Sequence, residues 1–395
     1  MSLATVVAAI MFVGVMAYAV FAGADFGSGV WDLTAGGPKR GGPMRSLIDD
    51  SIGPVWEANH VWLIFVLVYL WTGFPQAFAA ICETLFIPLT LAAFGIVLRG
   101  SAFAFRKFAS TVANARFFGA IFATASILTP FFFGAVVGAV ASGRVPLDGT
   151  GDRWRSWATE ASLVGGVLAV LTSAFLAAVF LTAEAAREGN AELVVACRRR
   201  AIGAGVLTGV AALAGIAPLS DDAPRLFDRL TGVALPVVLL SAAAGLVSML
   251  LLWRDRPRPA RGAAVVAVAA VVAGWGVAQY PWILVDEAQI NEVAGARPTL
   301  WSLVGVFGLA AVTVLPALAV PAIKVSLPPR AVSNMRTASP NRSFSREPLP
   351  LLSPPLKMSL PPRAELDMKA ASPPNTFRTV PSAVLLPPVR VSLPP

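Results

Sequence analysis

The stretch Ile52–Trp71 reads IGPVWEANHVWLIFVLVYLW. Its carboxylate, amide and imidazole, on Glu57, Asn59 and His60, stand directly before an uninterrupted apolar run. In a soluble enzyme, a carboxylate three residues from a histidine would suggest a catalytic pair or two metal ligands. Beside an apolar run of this length, the same residues are equally compatible with a helix end facing water or with a polar site inside a membrane.

The composition indicates a membrane protein. Of the 395 residues, 56% are hydrophobic and only 13% are charged, whereas a soluble domain carries about 25% charged residues. The net charge of +9 therefore points to basic loops at the cytoplasmic membrane surface, and no nucleic-acid partner is expected. The two cysteines, Cys82 and Cys197, are 115 residues apart in or beside apolar segments and have neither the spacing of a zinc site nor that of a disulfide framework.

We predict an all-α integral membrane protein with nine transmembrane helices, because helices satisfy their backbone hydrogen bonds within lipid. The loops after the first, third, fifth and seventh spans, with the adjoining span ends, hold fifteen Lys and Arg residues, against six for the alternate loops. This bias predicts an N-terminus outside and a C-terminus in the cytoplasm. The expected spans are residues 3–23, 55–73, 76–100, 115–141, 158–184, 198–217, 230–252, 262–284 and 299–322.

The sequence changes character after the predicted transmembrane domain, residues 1–323. Residues 324–395 contain 16 of the 32 prolines, and KVSLPPRA at 324–331 returns as KMSLPPRA at 357–364, a repeat of 33 residues. Because this proline density prevents regular helices, we expect a disordered Pro-rich cytoplasmic tail. The tail is either a docking segment for a proline-binding module or a dispensable extension, and we favour the second interpretation.

Asp25 is the first acidic residue in an apolar segment, and it lies in GADFGSGVWDL, residues 23–33. Gly23 and Gly27 are four residues apart, so they form a smooth helix face on which another helix can approach closely. Asp25 would then lie beside a tight helix contact. The alternative is that Asp25 ends the first span at the level of the lipid headgroups.

Glu57 and His60 are three residues apart, so helical spacing places them on one face of the second span. Glu57 is interpreted either as a buried carboxyl that holds a proton or as a charge that stabilises the start of the helix. A metal site is disfavoured because one Glu and one His are too few ligands. His60 is the only histidine in the chain, so we expect the chain to hold no haem of its own.

Three further residues are candidates for a role inside the membrane. Glu83 falls in the middle of the predicted third span, where a lone charge needs a partner or a proton. Arg99 closes that span and points either into the helix bundle or out to the interface. Trp62 lies one to two turns into the second span, unlike the other tryptophans, most of which mark span ends.

These motifs together resemble subunit II of cytochrome bd-type quinol oxidases, in the branch called cyanide-insensitive. The resemblance rests on GADFGSGVWDL, SIGPVWEANHVWLIF, LRGSAFAFR, FLTAEA and YPWIL, and it covers residues 1–323. It implies two four-helix bundles plus one peripheral helix in the plasma membrane of a bacterial cell. It also implies a partner, the haem-binding subunit I, whose haems b and d serve quinol oxidation and the reduction of oxygen to water.

The resemblance also implies roles for particular residues. Glu57 and Asp25 match acidic positions on a proton route from the cytoplasm. Trp62 and Arg99 match positions near the subunit boundary, where a path for oxygen or protons has been proposed.

Two of the candidate residues depart from the family pattern. His60 occupies a position that is often glutamine, and Glu83 matches no acid of the family. Two other functions remain open at this point: a pure assembly scaffold of the oxidase, or a standalone secondary transporter with acids at its bundle centre.

Overall fold

The computed structural model describes residues 1–52 and 56–319, without the side chains of residues 38, 39, 52, 107 and 314–319. Within these ranges the chain folds into thirteen helices and one short antiparallel hairpin. In chain order they are α1 (Leu3–Leu33), α2 (Pro38–Ile52), α3 (Trp56–Gly73), α4 (Pro75–Thr84), α5 (Phe86–Lys107), α6 (Val112–Ala141), α7 (Glu160–Arg187), α8 (Ala191–Ala214), α9 (Ile216–Asp222), α10 (Pro224–Thr231), α11 (Leu235–Trp253), α12 (Pro257–Gln279), β1 (Trp282–Leu284), β2 (Ala288–Gln289) and α13 (Arg297–Ala319).

Four of the long helices, α1, α6, α7 and α8, begin at residues whose side chains cap the first turn. The hydroxyl oxygens of Ser2, Thr111 and Thr159 accept hydrogen bonds from backbone N–H groups three residues ahead, and Asn190 does the same with its amide oxygen. Each cap satisfies one of the N–H groups that a helix start leaves without a partner. These caps are polar, so they favour helix starts at the membrane surface.

Seven helices of the described chain are long and apolar enough to cross a membrane. They are Leu3–Leu33, Phe86–Arg106, Val112–Ala141, Glu160–Arg187, Ala191–Asp222, Leu235–Trp253 and Pro257–Gln279. Helices α2 and α3 make an eighth if they are counted as one bent span, and the apolar part of α13, Arg297–Thr313, is shorter. The number nine therefore stays a prediction, although every predicted span contains a helix.

The third predicted span, residues 76–100, is wrong in its first part. The structure breaks this segment at Leu85, and the candidate crossing begins only at Phe86. The physical reason is Pro88, which has no N–H to donate to the carbonyl of Thr84 and whose ring would clash with that carbonyl. Glu83 therefore lies at the end of the short helix α4 and is exposed, not in the middle of a span.

Helix α1 is the centre of the bundle, because it packs against α3, α6, α7, α12 and α13. Glycines make its contacts close: a Cβ atom on Gly27 would lie 1.9 Å from the carbonyl oxygen of Ser173, on α7. A Cβ atom on Gly29 would overlap the side chain of Ser126, on α6. The close helix approach that the glycine spacing predicted is thus present, and α1 runs on to Leu33 instead of ending at Asp25.

The bundle has two ends of different character. At the hairpin end, Ser2 donates a hydrogen bond to Asn291, just beyond β2, and the N–H of Gly295 donates to the carbonyl of Gly73. At the basic end, where α1 finishes, Arg200 of α8 donates to the carbonyl of Thr34. The Pro-rich tail expected at residues 324–395 lies outside the described residues.

Candidate functional site

Asp25 is buried inside the bundle between α1 and α3, with 5% of its surface exposed. Asn59 donates a hydrogen bond from Nδ2 to Asp25 Oδ2 at 2.5 Å. The hydroxyl of Ser28 donates to the backbone carbonyl of Asp25 at 2.5 Å. Asp25 therefore does not end the first helix as the alternative supposed, and its carboxylate accepts a hydrogen bond from an amide of the stretch that opens α3.

Arg99 is also inside the bundle, with 2% of its surface exposed, so the snorkelling alternative is wrong. Its Nε donates to the hydroxyl of Ser126 at 3.1 Å. Its guanidinium carbon lies 4.9 Å from the ring centroid of Phe26 and 5.3 Å from that of Phe122. Aromatic faces stabilise a cation electrostatically, and Arg99 forms no direct ion pair with a carboxylate of the described residues.

His60 and Tyr18 complete a polar cluster around Phe26. The carbonyl of Trp56 accepts a hydrogen bond from His60 Nδ1 at 2.8 Å, so in the neutral ring Nε2 carries the lone pair. The rings of Tyr18 and His60 lie 6.2 Å apart, and the ring of Phe26 lies within 6.4 Å of both. The Tyr18 hydroxyl, His60 Nε2 and one terminal nitrogen of Arg99 are buried without a hydrogen-bond partner among the described residues.

We name Asp25, Asn59, Arg99, His60 and Tyr18 the central polar cluster. It contains a carboxylate, a cation, an imidazole and a phenol in one apolar bundle, and all of these groups can hold or orient a proton. Sequence reasoning identified Asp25, Arg99 and His60 as candidates, noted Asn59 only as an amide beside His60, and missed Tyr18. The signal was available, since Tyr18 is seven residues before Asp25 and two helical turns place both on the same face.

Glu57 lies outside the central polar cluster, at the first turn of α3. It is exposed, whereas His60 is half-buried, so the two residues do not face the same environment. Of the two interpretations of Glu57, this exposed position at the start of α3 agrees with a charge near a helix start and not with a buried carboxyl in the single chain. Trp62 is half-buried and stacks on Phe21, with ring centroids 6.4 Å apart, one turn from the cluster.

Glu83 is remote from the central polar cluster. Together with Cys82, Phe86, Gly149 and Arg153 it lines an open cavity of about 480 Å³. Gly149 has φ +74°, and a Cβ atom there would overlap the Glu83 carboxylate. Glycine at this position thus permits both the left-handed turn and the close approach of the carboxylate.

An ion-pair network lies between the central polar cluster and the basic end, and the sequence did not predict it. Asp32, two turns beyond Asp25 on α1, is 3% exposed. It accepts a hydrogen bond from Arg45 Nε, on α2, at 2.8 Å. Arg106, on α5, pairs with both Asp32 and Asp49. The network fixes the amphipathic helix α2 across the end of the bundle, where its apolar side chains pack on α5 and α7.

No group of three His, Cys, Asp or Glu side chains that could hold a metal ion occurs in residues 1–52 and 56–319. The donor set of the central polar cluster agrees with this, because it offers one imidazole and one carboxylate. Structural and catalytic metal sites ordinarily use at least three protein ligands.

Comparison with known proteins gives three concordant results. The sequence model of the family described as cytochrome bd terminal oxidase subunit II matches residues 3–321. The cytochrome bd ubiquinol oxidase subunit 2 of Bacillus subtilis (strain 168) is 23% identical over 317 residues, which cover 79% of this chain and 90% of that protein. In the solved structures, a chain of the bd oxidase from Geobacillus thermodenitrificans shares the fold, with a TM-score of 0.67 and 22% identity over 81% of this chain and 97% of that chain.

Proposed function

Because this chain belongs to the cytochrome bd terminal oxidase subunit II family, we propose that it is the haem-free membrane subunit of a bd-type quinol oxidase. The complex would oxidise quinol and reduce oxygen to water in the plasma membrane of a bacterium. The observation that carries the proposal is the family match over residues 3–321, nearly the whole of the described chain. The multi-pass helical bundle supports it.

We infer nine crossings, arranged as two four-helix bundles and a peripheral helix, with the N-terminus outside. Two observations support the two crossings beyond the seven long apolar helices. Helix α3 packs against α1, and α13 packs against both α1 and α3, so all three run in the same bundle. The arginine-rich turns at the basic end favour a cytoplasmic position for that end.

We place the haem-binding subunit I against an exposed stripe of α3. Glu57, Val61, Ile64, Val68 and Trp71 are all exposed and follow helical spacing along one face. Glu57 stands at the first turn of α3, so a position facing lipid would cost less than about 2.5–3.5 kcal/mol, the cost of a charge at a membrane centre, but it would still be unfavourable. A polar surface of a second subunit would remove this cost and bring Glu57 to the boundary.

The chain's own contribution is the movement of protons. Asp25 is buried, hydrogen-bonded to Asn59, and separated from the basic end by the Asp32 network. A carboxylate in this place can take a proton from the cytoplasmic side. The unpartnered Tyr18 hydroxyl and His60 Nε2 then offer the next positions toward the partner, because buried polar groups of this kind bind ordered water. The haems of subunit I would supply the electrons and the oxygen chemistry.

The test is the replacement of Asp25 by asparagine in the assembled complex. Proton transfer by a positioned side chain ordinarily contributes at least about 100-fold to a rate, so we expect oxygen consumption to fall by about tenfold or more while the haem spectrum stays unchanged. Asp152→Asn, in the exposed loop before α7, is the matched control and leaves turnover unchanged.

Glu57→Gln tests the second acid in the same assay, and we expect it to lower turnover with normal haem content. Normal turnover in both Asp25→Asn and Glu57→Gln would favour a pure assembly scaffold. Solute transport by the single purified chain in liposomes, without a haem protein, would favour a standalone secondary transporter.

A further inference from the structure

A run of arginines at the basic end is not used by the proton route. The segment that joins α11 to the first residues of α12 reads RDRPRPAR, residues 254–261. Arg254, Arg256, Arg258 and Arg261 are all exposed, and none of the four forms an ion pair within the described part of the chain. We name these four residues the arginine turn.

The arginine turn is rigidly presented. Asp255 adopts φ 58° and ends α11, and Pro257 starts α12 directly afterwards. The one acid within the turn is already occupied, because Arg198 of α8 donates to Asp255 Oδ1 at 3.0 Å. Arg261 lies over the ring of Phe180, on α7, with 4.2 Å between the guanidinium carbon and the ring centroid. The turn therefore carries an uncompensated positive charge at a defined place in the fold.

The surface directly below the arginine turn is apolar. Trp253 is 77% exposed at the last position of α11, and the same helix exposes Leu239, Leu246, Val247 and Leu250 along its length. Tryptophan is enriched where hydrocarbon meets headgroups. Along α11, exposed aliphatic side chains that suit lipid hydrocarbon are thus followed by the interfacial ring of Trp253 and then by the arginines.

We propose that the arginine turn and the exposed face of α11 form a binding site for an anionic phospholipid of the membrane leaflet at the basic end. The phosphate and the negative headgroup would contact Arg254, Arg256 and Arg258, and the acyl chains would lie along α11 below Trp253. Two physical terms favour a negative ligand here. Arginines near an anionic membrane surface are attracted to it, and the N-terminus of α12 is the positive end of its dipole.

The exposed apolar face of α11 favours a lipid over a soluble anion, and the arginines favour an anionic lipid over a zwitterionic one. A free phosphate would gain the arginine contacts alone, whereas a phospholipid also covers the exposed leucines of α11. A zwitterionic phospholipid would cover the same leucines, but its headgroup carries no net charge to match the four arginines. The proposal does not rest on the proton route, and it holds whichever reaction the assembled complex performs.

Photo-crosslinking of the full chain, purified with whatever accompanies it, tests this site. The protein is reconstituted in phosphatidylcholine vesicles that contain a trace of one photoreactive probe lipid with a diazirine in its acyl chain. The probe is phosphatidylglycerol in one sample and phosphatidylcholine in the other, and the labelled peptides are identified by mass spectrometry. We expect α11, Leu235–Trp253, to be labelled about threefold or more in favour of phosphatidylglycerol. The ratio of labelling by phosphatidylglycerol to labelling by phosphatidylcholine should fall toward one in 0.5 M salt, where screening is strong. The addition of 10 mM inorganic phosphate should leave this ratio unchanged.

The variant R254Q/R256Q/R258Q should lose the preference. The matched control R153Q/R155Q/R297Q removes the same number of positive charges from exposed positions at the hairpin end. This control should still be labelled preferentially by phosphatidylglycerol. Equal labelling by both probes in the wild-type chain, a preference that survives in the first variant, or an equal loss in both variants would overturn the proposal. The proposal would also be overturned if neither probe labelled α11, because another protein would then cover this face.

Discussion

The substitution Gly27→Ala tests whether α1 and α7 hold Asp25 in place. The new Cβ atom would lie 1.9 Å from the carbonyl oxygen of Ser173, whereas a carbon–oxygen contact normally requires about 3.3 Å. The two helices must therefore separate by about 1.4 Å at this level. The obstacle is backbone, so no side-chain rotation relieves it.

The magnitude follows from a comparison with Gly23→Ala, one turn away on the same helix. A Cβ atom on Gly23 would lie 3.6 Å from Ser173 Oγ and 3.9 Å from Leu176, which are ordinary contacts. Both substitutions gain about 0.8–1.0 kcal/mol of helix propensity. Only Gly27→Ala also meets overpacking, which costs about 1–3 kcal/mol in a filled core. Because the propensity gain is common to both, we expect the two variants to differ by the overpacking cost, about 1–3 kcal/mol.

The assay is reversible unfolding of the purified protein in mixed micelles with increasing SDS, followed by circular dichroism. Gly23→Ala should match the wild-type protein or exceed it in free energy of unfolding, and Gly27→Ala should be clearly less stable. In the assembled complex, Gly27→Ala should also lower oxygen consumption, because Asp25 lies two residues from the displaced contact. Equal stability of the two variants would refute the close α1–α7 packing.

Three further predictions concern hydrogen bonds and charges. Asn59→Leu leaves a buried carboxylate without its amide donor and should cost about 1–3 kcal/mol, measured by the same SDS titration; an unchanged midpoint would contradict the contact. Arg106→Gln breaks two ion pairs at the basic end and should cost about 3 kcal/mol, whereas Arg187→Gln removes an exposed pair and should cost below about 0.5 kcal/mol. Backbone N–H donors lower the pKa values of Asp148 and Asp152 in the folded loop. The stability that these two carboxylates give to the loop is therefore present above their unfolded pKa of about 3.9 and is lost as the pH falls below it. Faster proteolysis of this loop at pH 3 than at pH 7 measures the loss, and the difference should vanish in the variant with Asn at both positions.

The sequence was sufficient to predict the helical membrane fold and the polar character of its centre. Asp25, His60 and Arg99 are charged or polar side chains in apolar segments. Such side chains almost always face the interior of a helix bundle in a membrane, so the sequence could predict that they lie there. The glycine spacing on α1 correctly predicted a close helix contact. It could not show that Gly27 faces the backbone of α7 and Gly23 does not, because this depends on the rotation of α1 against its neighbour.

The orientation of Glu57 could not be predicted, for a related reason. Helix α3 is apolar on every face beyond its first turn, so its sequence has no periodicity that would identify the exposed side. The break before α5 was predictable in principle, because Pro88 removes a helical hydrogen bond to the preceding turn. The predicted span 76–100 runs through Pro88, and for that reason it places Glu83 inside the membrane and not at the end of α4.

The ion pairs at the basic end illustrate what a single sequence lacks. Arg106 and Asp32 are 74 residues apart in the chain, and Arg45 approaches Asp32 only because α2 folds back across the end of the bundle. Each residue by itself has the appearance of an ordinary charge near a membrane surface. Their convergence is a property of the tertiary structure.

The most direct test of the central claim is affinity purification of this chain from its native host, with a visible spectrum and the polypeptide composition of the product. The account predicts a second membrane protein in constant ratio and absorption from b- and d-type haems that follows that second protein when the two are separated. Stoichiometric haem on this chain alone, or a stable active chain with no companion, would contradict it.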